Sequence, residues 1–432
     1  MFKRFISSFL SLLLVLLGVR TGAAKRCDAV FTGTFIQSWY CADWDDARWA
    51  QEIADMRSVG IDKLIVQDVA EMDADGNWTV WYPSALPDFG AVDGTVDVIG
   101  SALRACQAGG IRVFIGLAEF ENWWVFSALS SEYGKVCRIM ANMQQEIYDM
   151  YHADYPDAFY GWYFSPEINN VPTMKASVLK IARGLSTVLD AATAIDSRMP
   201  VLLSPYFTEY MAVPSVLATL PMWQILLQQS HLREGDIFCP QDAIGAQWTK
   251  AAHLRKVWEM YAAAVESCPV KLRLWANCEC MTVARKAVPL FPPASLETEN
   301  SPATLDRLVW QMQTAADYCE DIVTFSFNHY YSPQTGNTAY YDSWIAYLES
   351  GHALETLSPE VPGNLRFEDD KLIWDAAEDN IGVAYYLVLQ NEKPFCRVES
   401  SQDCMCSISM GYSYAVIAVD GAGNCSIAAR LS

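Results

Sequence analysis

The chain has 432 residues, of which 52% are hydrophobic and 19% are charged. An apolar fraction of this size supplies a large core, so the composition excludes a globally disordered protein. The formal net charge is −21, with 30 Lys and Arg against 51 Asp and Glu. A nucleic acid or an anionic membrane surface requires a basic face on its partner, so this charge argues against both.

The N-terminal segment, residues 1–24, has the pattern of a signal peptide. Lys3 and Arg4 precede an apolar run from Phe9 to Val19, and small residues up to Ala24 follow. The run is shorter than the roughly 20 apolar residues of a membrane-spanning helix. We therefore expect cleavage near Ala24, no transmembrane segment, and export to the periplasm, the cell surface or the medium.

Residues 31–350 alternate between short β-rich runs and helical stretches, a pattern that favours a parallel sheet. Eight such units predict an α/β fold, a (β/α)8 TIM barrel over residues 25–357. A doubly wound open sheet fits less well, because no glycine-rich phosphate-binding motif follows the first run. Trp49, Trp258 and Trp310 have helical spacing and are expected in the core. The predicted strands are 31–37, 62–68, 112–120, 158–167, 200–207, 236–242, 272–279 and 321–330.

The pattern changes at residue 358 to short alternating strands, which predicts a small all-β domain over residues 358–432. Pro362-x-x-Leu365, Trp374 and Tyr412-x-Tyr414 resemble a fibronectin type III module, an immunoglobulin-like sandwich. Such modules are spacers or interaction surfaces. The resemblance therefore implies no chemistry here and leaves a protein partner open.

The chain has 13 cysteines, and an exported protein can form disulfides. The C-terminal group of Cys396, Cys404, Cys406 and Cys425 is expected to pair. The two Cys-x-Cys motifs lack the spacing and the accompanying histidines of a zinc site. We therefore expect no structural metal and no cofactor.

The C-terminal ends of the predicted strands carry carboxylates, amides and aromatic residues. In a TIM barrel these ends form the active site. Aromatic rings stack on the apolar faces of sugars, and amides and carboxylates bind their hydroxyls, so we expect a carbohydrate substrate. The expected substrate contacts are Gln37, Trp39, Gln67, Asp68, Glu119, Trp123, Trp124, Asn169, Tyr206, Gln241, Asp242, Asn277, Asn328, His329 and Tyr330.

Glu167, after strand four, and Glu279, at the end of strand seven, are the candidate catalytic residues. Two carboxyl groups across a barrel mouth can cleave a glycosidic bond, one as the acid and the other attacking or stabilising the anomeric carbon. In this respect the chain resembles the retaining TIM-barrel glycosidases with glutamates on strands 4 and 7. That resemblance implies that Glu167 is the acid/base and Glu279 the nucleophile. Those enzymes have Asn before the acid/base, whereas this chain has Pro166.

A broader resemblance rests on the segments GTFIQSWY, GWYFSPEINN, LWANCE and VTFSFNHYYSP. They look like an exported family defined as a domain of unknown function and described as a TIM-barrel glycosidase. A catalytically inactive barrel that binds glycans or a surface partner remains the main rival. A metal-dependent barrel hydrolase lacks its His-x-His motif here, and a serine hydrolase lacks Gly-x-Ser-x-Gly.

Overall fold

The computed structural model describes residues 26–92, 94, 96–123, 132–171, 174–209, 215–283 and 300–431. The predicted signal peptide and Trp124 lie outside these residues. The elements to residue 203 are β1 (Gly33–Ile36), α1 (Ser38–Cys41), α2 (Asp46–Ser58), β2 (Lys63–Val66), β3 (Ala70–Met72), β4 (Trp78–Val80), α3 (Val98–Gly109), β5 (Arg112–Gly116), β6 (Ala118–Phe120), α4 (Tyr133–Tyr151), β7 (Phe159–Phe164), α5 (Lys175–Ile195) and β8 (Val201–Leu203).

The remaining helices and strands follow in chain order. They are α6 (Leu220–Gln229), β9 (Ile237–Phe238), α7 (Leu254–Glu266), β10 (Arg273–Glu279), β11 (Met281–Val283), β12 (Asn300–Pro302), α8 (Leu305–Ala315), β13 (Asp321–Phe325), α9 (Phe327–Tyr330), α10 (Ala339–Glu349), β14 (Gly363–Glu368), β15 (Lys371–Asp375), β16 (Val383–Gln390), β17 (Lys393–Glu399), β18 (Met405–Ser407), β19 (Tyr414–Asp420) and β20 (Ala429–Arg430).

The predicted TIM barrel is confirmed: eight parallel strands close in the order β1-β13-β10-β9-β8-β7-β5-β2. Each predicted run contributes one of them. The barrel interior is an apolar cluster with one or two side chains from each strand. Because side chains alternate along a strand, residues two and four positions further on face the same way at the C-terminal end. The cluster comprises Phe35, Ile65, Phe114, Tyr163, Leu202, Ile237, Cys239, Trp275 and Val323.

All eight barrel strands are shorter than the predicted runs, and two of those runs continue into another element. The run 112–120 breaks at Leu117, whose carbonyl accepts hydrogen bonds from the N–H groups of Val69 and Ala70. Its last part, β6, instead pairs with β3 in a small separate sheet, β4-β3-β6. The run 321–330 ends at Phe325, and residues 327–330 form α9.

The core prediction holds for Trp49 and Trp258, which are buried, but not for Trp310, which is 36% exposed. Trp310 lies in α8, where Leu305, Leu308 and Met312 form the buried face. At about 100° per residue, Trp310 points away from that face. Helical spacing alone therefore misplaced this ring.

Two compact units divide the chain. The first comprises Met1–Ser301 and Gln311–Ser326, and the second comprises Pro302–Trp310 and Phe327–Ser432. The predicted boundary at residue 357 follows the change in sequence pattern, whereas the second unit also includes α9 and α10. No helix within the described ranges is both long and apolar enough to cross a membrane.

The second unit contains the predicted all-β region as two antiparallel sheets, β14-β15-β18 and β17-β16-β19-β20. Trp374 and Tyr386 pack edge to face in its core, with ring centroids 5.4 Å apart. The thiols of Cys396 and Cys406 are hydrogen-bonded neighbours at that core. Cysteine pairing and membership of the fibronectin type III family stay predictions.

The N-terminal end of the barrel is closed by a buried ion network centred on Lys63. Its Nζ lies 2.6 Å from Asp62 Oδ1, 2.9 Å from Asp321 Oδ2 and 2.7 Å from Thr32 Oγ1. The same Nζ lies 5.5 Å from the centroid of the Trp275 ring. These contacts join β1, β2, β10 and β13, so this end of the barrel serves stability.

We expect Lys63→Met to destabilise the barrel by about 2–3 kcal/mol, because it leaves the partly buried Asp321 carboxylate without its cation. Urea denaturation followed by tryptophan fluorescence measures the change. The matched control is Arg104→Met, which breaks the exposed Arg104–Asp46 pair and should cost less than about 0.5 kcal/mol. Equal effects of the two substitutions would contradict a structural role for the network.

Candidate active site

The strand ends of the central part of the barrel meet at one level. Beyond the strands proper, isolated bridges join Asn169 to Tyr206, Tyr206 to Gln241 and Gln241 to Asn277. The Nδ2 of Asn169 donates to the Tyr206 hydroxyl at 3.1 Å, and burial raises the pKa of that hydroxyl. The structure thus brings four predicted contacts, from strands four to seven, into one row.

Glu167 lies two residues before this row, on the same interior side of its strand as Tyr163. Its carboxyl is partly buried and is hydrogen-bonded by the side chain of Gln241. Burial raises the pKa of Glu167 to about 7, and the Gln241 hydrogen bond opposes that rise only in part. A carboxyl group with such a pKa can carry a proton at neutral pH and deliver it to a substrate.

The backbone of Glu167 is held by Trp123, whose Nε1 donates to the Glu167 carbonyl at 2.9 Å. Trp123 is buried and packs against Phe120 and Tyr133. A buried ring offers no face to a sugar, so the predicted stacking role does not fit Trp123. Its hydrogen bond instead holds the backbone of Glu167 in place.

Glu279 ends β10 on the same interior face as Trp275 and Asn277. Its side chain is 2% exposed, and its Oε2 accepts the backbone N–H of Ala246 at 2.6 Å. The loop approaches closely because residue 245 is glycine: a Cβ there would lie 2.1 Å from the Met281 carbonyl oxygen.

Asp242, a predicted substrate contact, is fully buried behind Glu279. Its Oδ1 accepts the backbone N–H of Ile244 at 3.1 Å, and its Oδ2 accepts Gln311 Nε2 at 2.5 Å. The same Gln311 amide donates to the Glu279 carbonyl at 3.1 Å. These contacts give Asp242 a positioning role rather than direct contact with a ligand.

Sequence reasoning missed Gln311. It is a fully buried amide in α8, three residues after the buried Leu308 and one turn before Ala315. A polar residue along the buried side of an amphipathic helix was the available signal, because such a residue must find a partner inside the protein.

Several other predicted contacts lie at or just beyond the C-terminal ends of barrel strands. Gln37 is partly exposed at the end of β1, and Trp39 in α1 is 56% exposed. Gln67 and Asn277 are buried, and their side-chain oxygens Oε1 and Oδ1 accept no hydrogen bond from any described residue. Buried acceptors that lack a donor from the described residues favour a ligand rich in hydroxyl donors.

A second acidic group follows strands two and three. Glu71 and Glu119 are register partners in the parallel pair of β3 and β6, and Asp68 is the second residue after β2. Burial and the charge of Glu71 raise the pKa of Asp68 to about 8. Burial together with the charges of Asp68, Glu167 and Glu71 raises the pKa of Glu119 well above its usual value. Within the described residues, no three His, Cys, Asp or Glu side chains converge to ligate a metal ion.

The remaining predicted contacts follow strand eight. Asn328, His329 and Tyr330 form most of α9, which belongs to the second compact unit. Asn328 is buried, and burial lowers the pKa of His329 to about 4. Their part in the site, like that of Trp124, stays a prediction.

Asp68→Asn should stabilise the fold in a pH-dependent way. The folded chain holds a proton on Asp68 that the unfolded chain releases above about pH 4, so the free energy of unfolding falls between about pH 4 and pH 8. The amide removes this penalty, and we expect a gain of about 2 kcal/mol at pH 8 and little change at pH 4. Urea denaturation at both pH values measures it. Asp75→Asn, at an exposed position, is the control, and equal pH dependence in wild type and Asp68→Asn would contradict this account.

Comparison with solved structures identifies proteins of the same fold. A candidate alpha-L-fucosidase from Bacteroides thetaiotaomicron VPI-5482 superposes with a TM-score of 0.59 at 19% identity, covering 76% of this chain and 95% of that one. A glycoside hydrolase family 5 protein from Bacteroides vulgatus ATCC 8482 gives 0.44 at 12% identity, covering 91% and 90%. The endo-1,4-beta-mannanase from Rhizomucor miehei gives 0.45 at 12% identity, covering 69% and 86%. At 19% identity, the superposition with the TM-score of 0.59 shows a likeness of fold alone.

Comparison with sequences gives a family. None of the curated proteins compared matches this chain. A family model described as "Domain of unknown function (DUF4434)" matches residues 31–337, which span the barrel from the start of its first strand. The match covers well over half of the sequence. The chain therefore belongs to the DUF4434 family.

Proposed function

We propose that this protein is a retaining glycoside hydrolase that acts on an exported oligo- or polysaccharide, with Glu167 as the acid/base and Glu279 as the nucleophile. One observation carries the proposal: Glu167 follows the fourth barrel strand, Glu279 ends the seventh, and burial raises the pKa of Glu167 to about 7. In the proposed mechanism Glu167 carries a proton at neutral pH, and Glu279, whose Oε2 accepts the Ala246 N–H, is the carboxylate. Such a difference between two carboxyl groups is what glycosidic cleavage requires.

The reaction follows from these two states. The Glu167 hydroxyl gives its proton to the glycosidic oxygen while the Glu279 carboxylate attacks the anomeric carbon, so the leaving sugar departs as an alcohol. The ionised Glu167 then takes a proton from a water molecule, which attacks the glycosyl–Glu279 ester and releases the second sugar. Both glutamates return to their starting states.

The surrounding residues support a carbohydrate substrate. The exposed Trp39 offers a flat ring, and partly exposed Tyr206 has a polar hydroxyl next to Asn169. The unpartnered acceptors of Gln67 and Asn277 match the hydroxyl groups of a sugar. The Bacteroides thetaiotaomicron protein of the same fold is itself described as a candidate fucosidase, and the predicted signal peptide agrees with an extracytoplasmic glycan.

A glycan-binding barrel without catalysis is the second candidate. The observation that favours it is the burial of Glu279, which is 2% exposed and bound to the Ala246 amide. A carboxylate that only holds the loop after β9 in place would show the same burial and the same hydrogen bond. Turnover by the Glu279 variant separates the two functions.

Glu167→Gln and Glu279→Gln should each lower kcat/KM about a thousandfold, because one removes the transferable proton and the other the attacking carboxylate. Hydrolysis of a glycan panel, or of aryl glycosides, by wild type and variants measures this. The control is Glu121→Gln, the same change at an exposed carboxylate that accepts the Ala74 N–H at 3.0 Å. Full activity of either site variant would remove that residue from the mechanism, and glycan binding without turnover by wild type would favour the second candidate.

The anomer of the product tests double displacement separately. Proton NMR, recorded before mutarotation, of the sugar released from the Glu279 ester should show the anomeric configuration of the substrate, because two inversions at its anomeric carbon restore it. An inverted product would exclude Glu279 as a covalent nucleophile.

A further inference from the structure

The second acidic group, Asp68 and Glu119, has no function in the two-glutamate mechanism. The Asp68 carboxylate is 5% exposed and makes neither a hydrogen bond nor an ion pair with any described residue. The buried Oε1 of Glu119 also has no donor in the described part of the chain. The nearby charges that act on the two groups are those of Glu71 and Glu167, and all of them are negative.

This arrangement contrasts with the other end of the same barrel, where Lys63 lies between Asp62 and Asp321. A buried carboxylate without a cation costs free energy, and several together repel one another. In the isolated protein the cost is limited by retained protons, which is why the pKa values of Asp68 and Glu119 are raised. A bound cation would satisfy the same groups without that proton.

An aromatic residue, Trp39, is the sequence neighbour of a residue that contacts the Asp68 backbone. Ser38 donates its hydroxyl to the Asp68 carbonyl, and Trp39 is the next residue in α1. The Trp39 ring is 56% exposed and contacts Tyr40 edge to face at 5.9 Å between centroids. A ring of this kind attracts both the C–H face of a sugar and a nearby ammonium group.

We propose that Asp68 and Glu119 bind a protonated amine of the substrate, so that the sugar cleaved here is an amino sugar with a free amino group. The inference rests on the proposed function and adds the substrate class. An ammonium group supplies three donors and one positive charge, which match the unpartnered carboxylates. A uronic acid or a sulfated sugar would add negative charge to the group and is disfavoured. A neutral sugar would leave the carboxylates uncompensated.

The test compares matched oligosaccharides that differ only at nitrogen. Glucosamine oligosaccharides of several linkages, and the same compounds N-acetylated, are titrated by calorimetry into the full chain carrying Glu167→Gln, which prevents turnover. We expect the free amines to bind about tenfold more tightly or better, since a hydrogen-bonded charge pair contributes about 1.5–3 kcal/mol. The preference should shrink as salt is raised.

Second variants separate recognition from folding. Adding Glu119→Gln or Asp68→Asn should reduce the ratio of the two affinities to within about threefold, whereas adding Glu121→Gln, which changes the same charge at an exposed site, should preserve it. Far-ultraviolet circular dichroism checks that each variant folds. A ratio unchanged by both site variants would overturn the assignment.

Other outcomes distinguish this inference from the proposed function. Equal or tighter binding of N-acetylated or neutral sugars, with hydrolysis of those sugars by wild type, would overturn the amino-sugar inference and leave the glycosidase intact. Binding of the free amines without hydrolysis by wild type would support the amine site and count against the enzyme. No binding by any member of the panel would overturn the inference.

Discussion

The burial of carboxyl groups without cations at one end of the barrel is the constraint on which the account depends. Asp68, Glu119 and Glu167 are surrounded by low-dielectric packing and by one another, so their charged forms are penalised. At the opposite end, Lys63 Nζ lies 2.6 Å from Asp62 Oδ1 and 2.9 Å from Asp321 Oδ2. The same barrel thus has an ion-paired end and an end where Asp68 and Glu119 are buried without a cation from any described residue.

The alternation of side chains along the strands determines which residues lie above the barrel interior. Tyr163, Leu202 and Trp275 face the apolar interior, and four residues later these segments carry Glu167, Tyr206 and Glu279. The candidate site therefore lies directly above a packed core: Glu279 ends β10, and Glu167 and Tyr206 follow the ends of β7 and β8. Its supports are buried as well: Trp123 holds the backbone at Glu167, and the Asp242–Gln311 pair holds the backbone at Glu279. Substituting these supports would move the glutamates without touching a substrate.

The fold was predictable because eight β-rich runs each end in polar residues and are followed by a helical stretch, a signal that repeats along 320 residues. The positions of Glu167 and Glu279 were predictable for the same reason, because the C-terminal ends of the strands of a TIM barrel all lie at one end of it. The sheet β4-β3-β6 was not, because its pairing depends on the break at Leu117, where backbone groups of a neighbouring loop replace the strand partner. Periodicity also could not tell that Trp123 is buried or that Gln311 reaches Asp242, because both depend on contacts between segments distant in sequence.

The protonation state of Glu167 in the free protein is the central claim, and a site-specific titration tests it most directly. The protein is labelled with carbon-13 at the glutamate side-chain carboxyls, and the Glu167 resonance is the one that Glu167→Gln removes. NMR then follows the chemical shift of this carboxyl group from pH 4 to pH 9. The account predicts a midpoint near pH 7, which burial imposes against the Gln241 hydrogen bond. A midpoint near 4.5, the ordinary value for a glutamate, would contradict it.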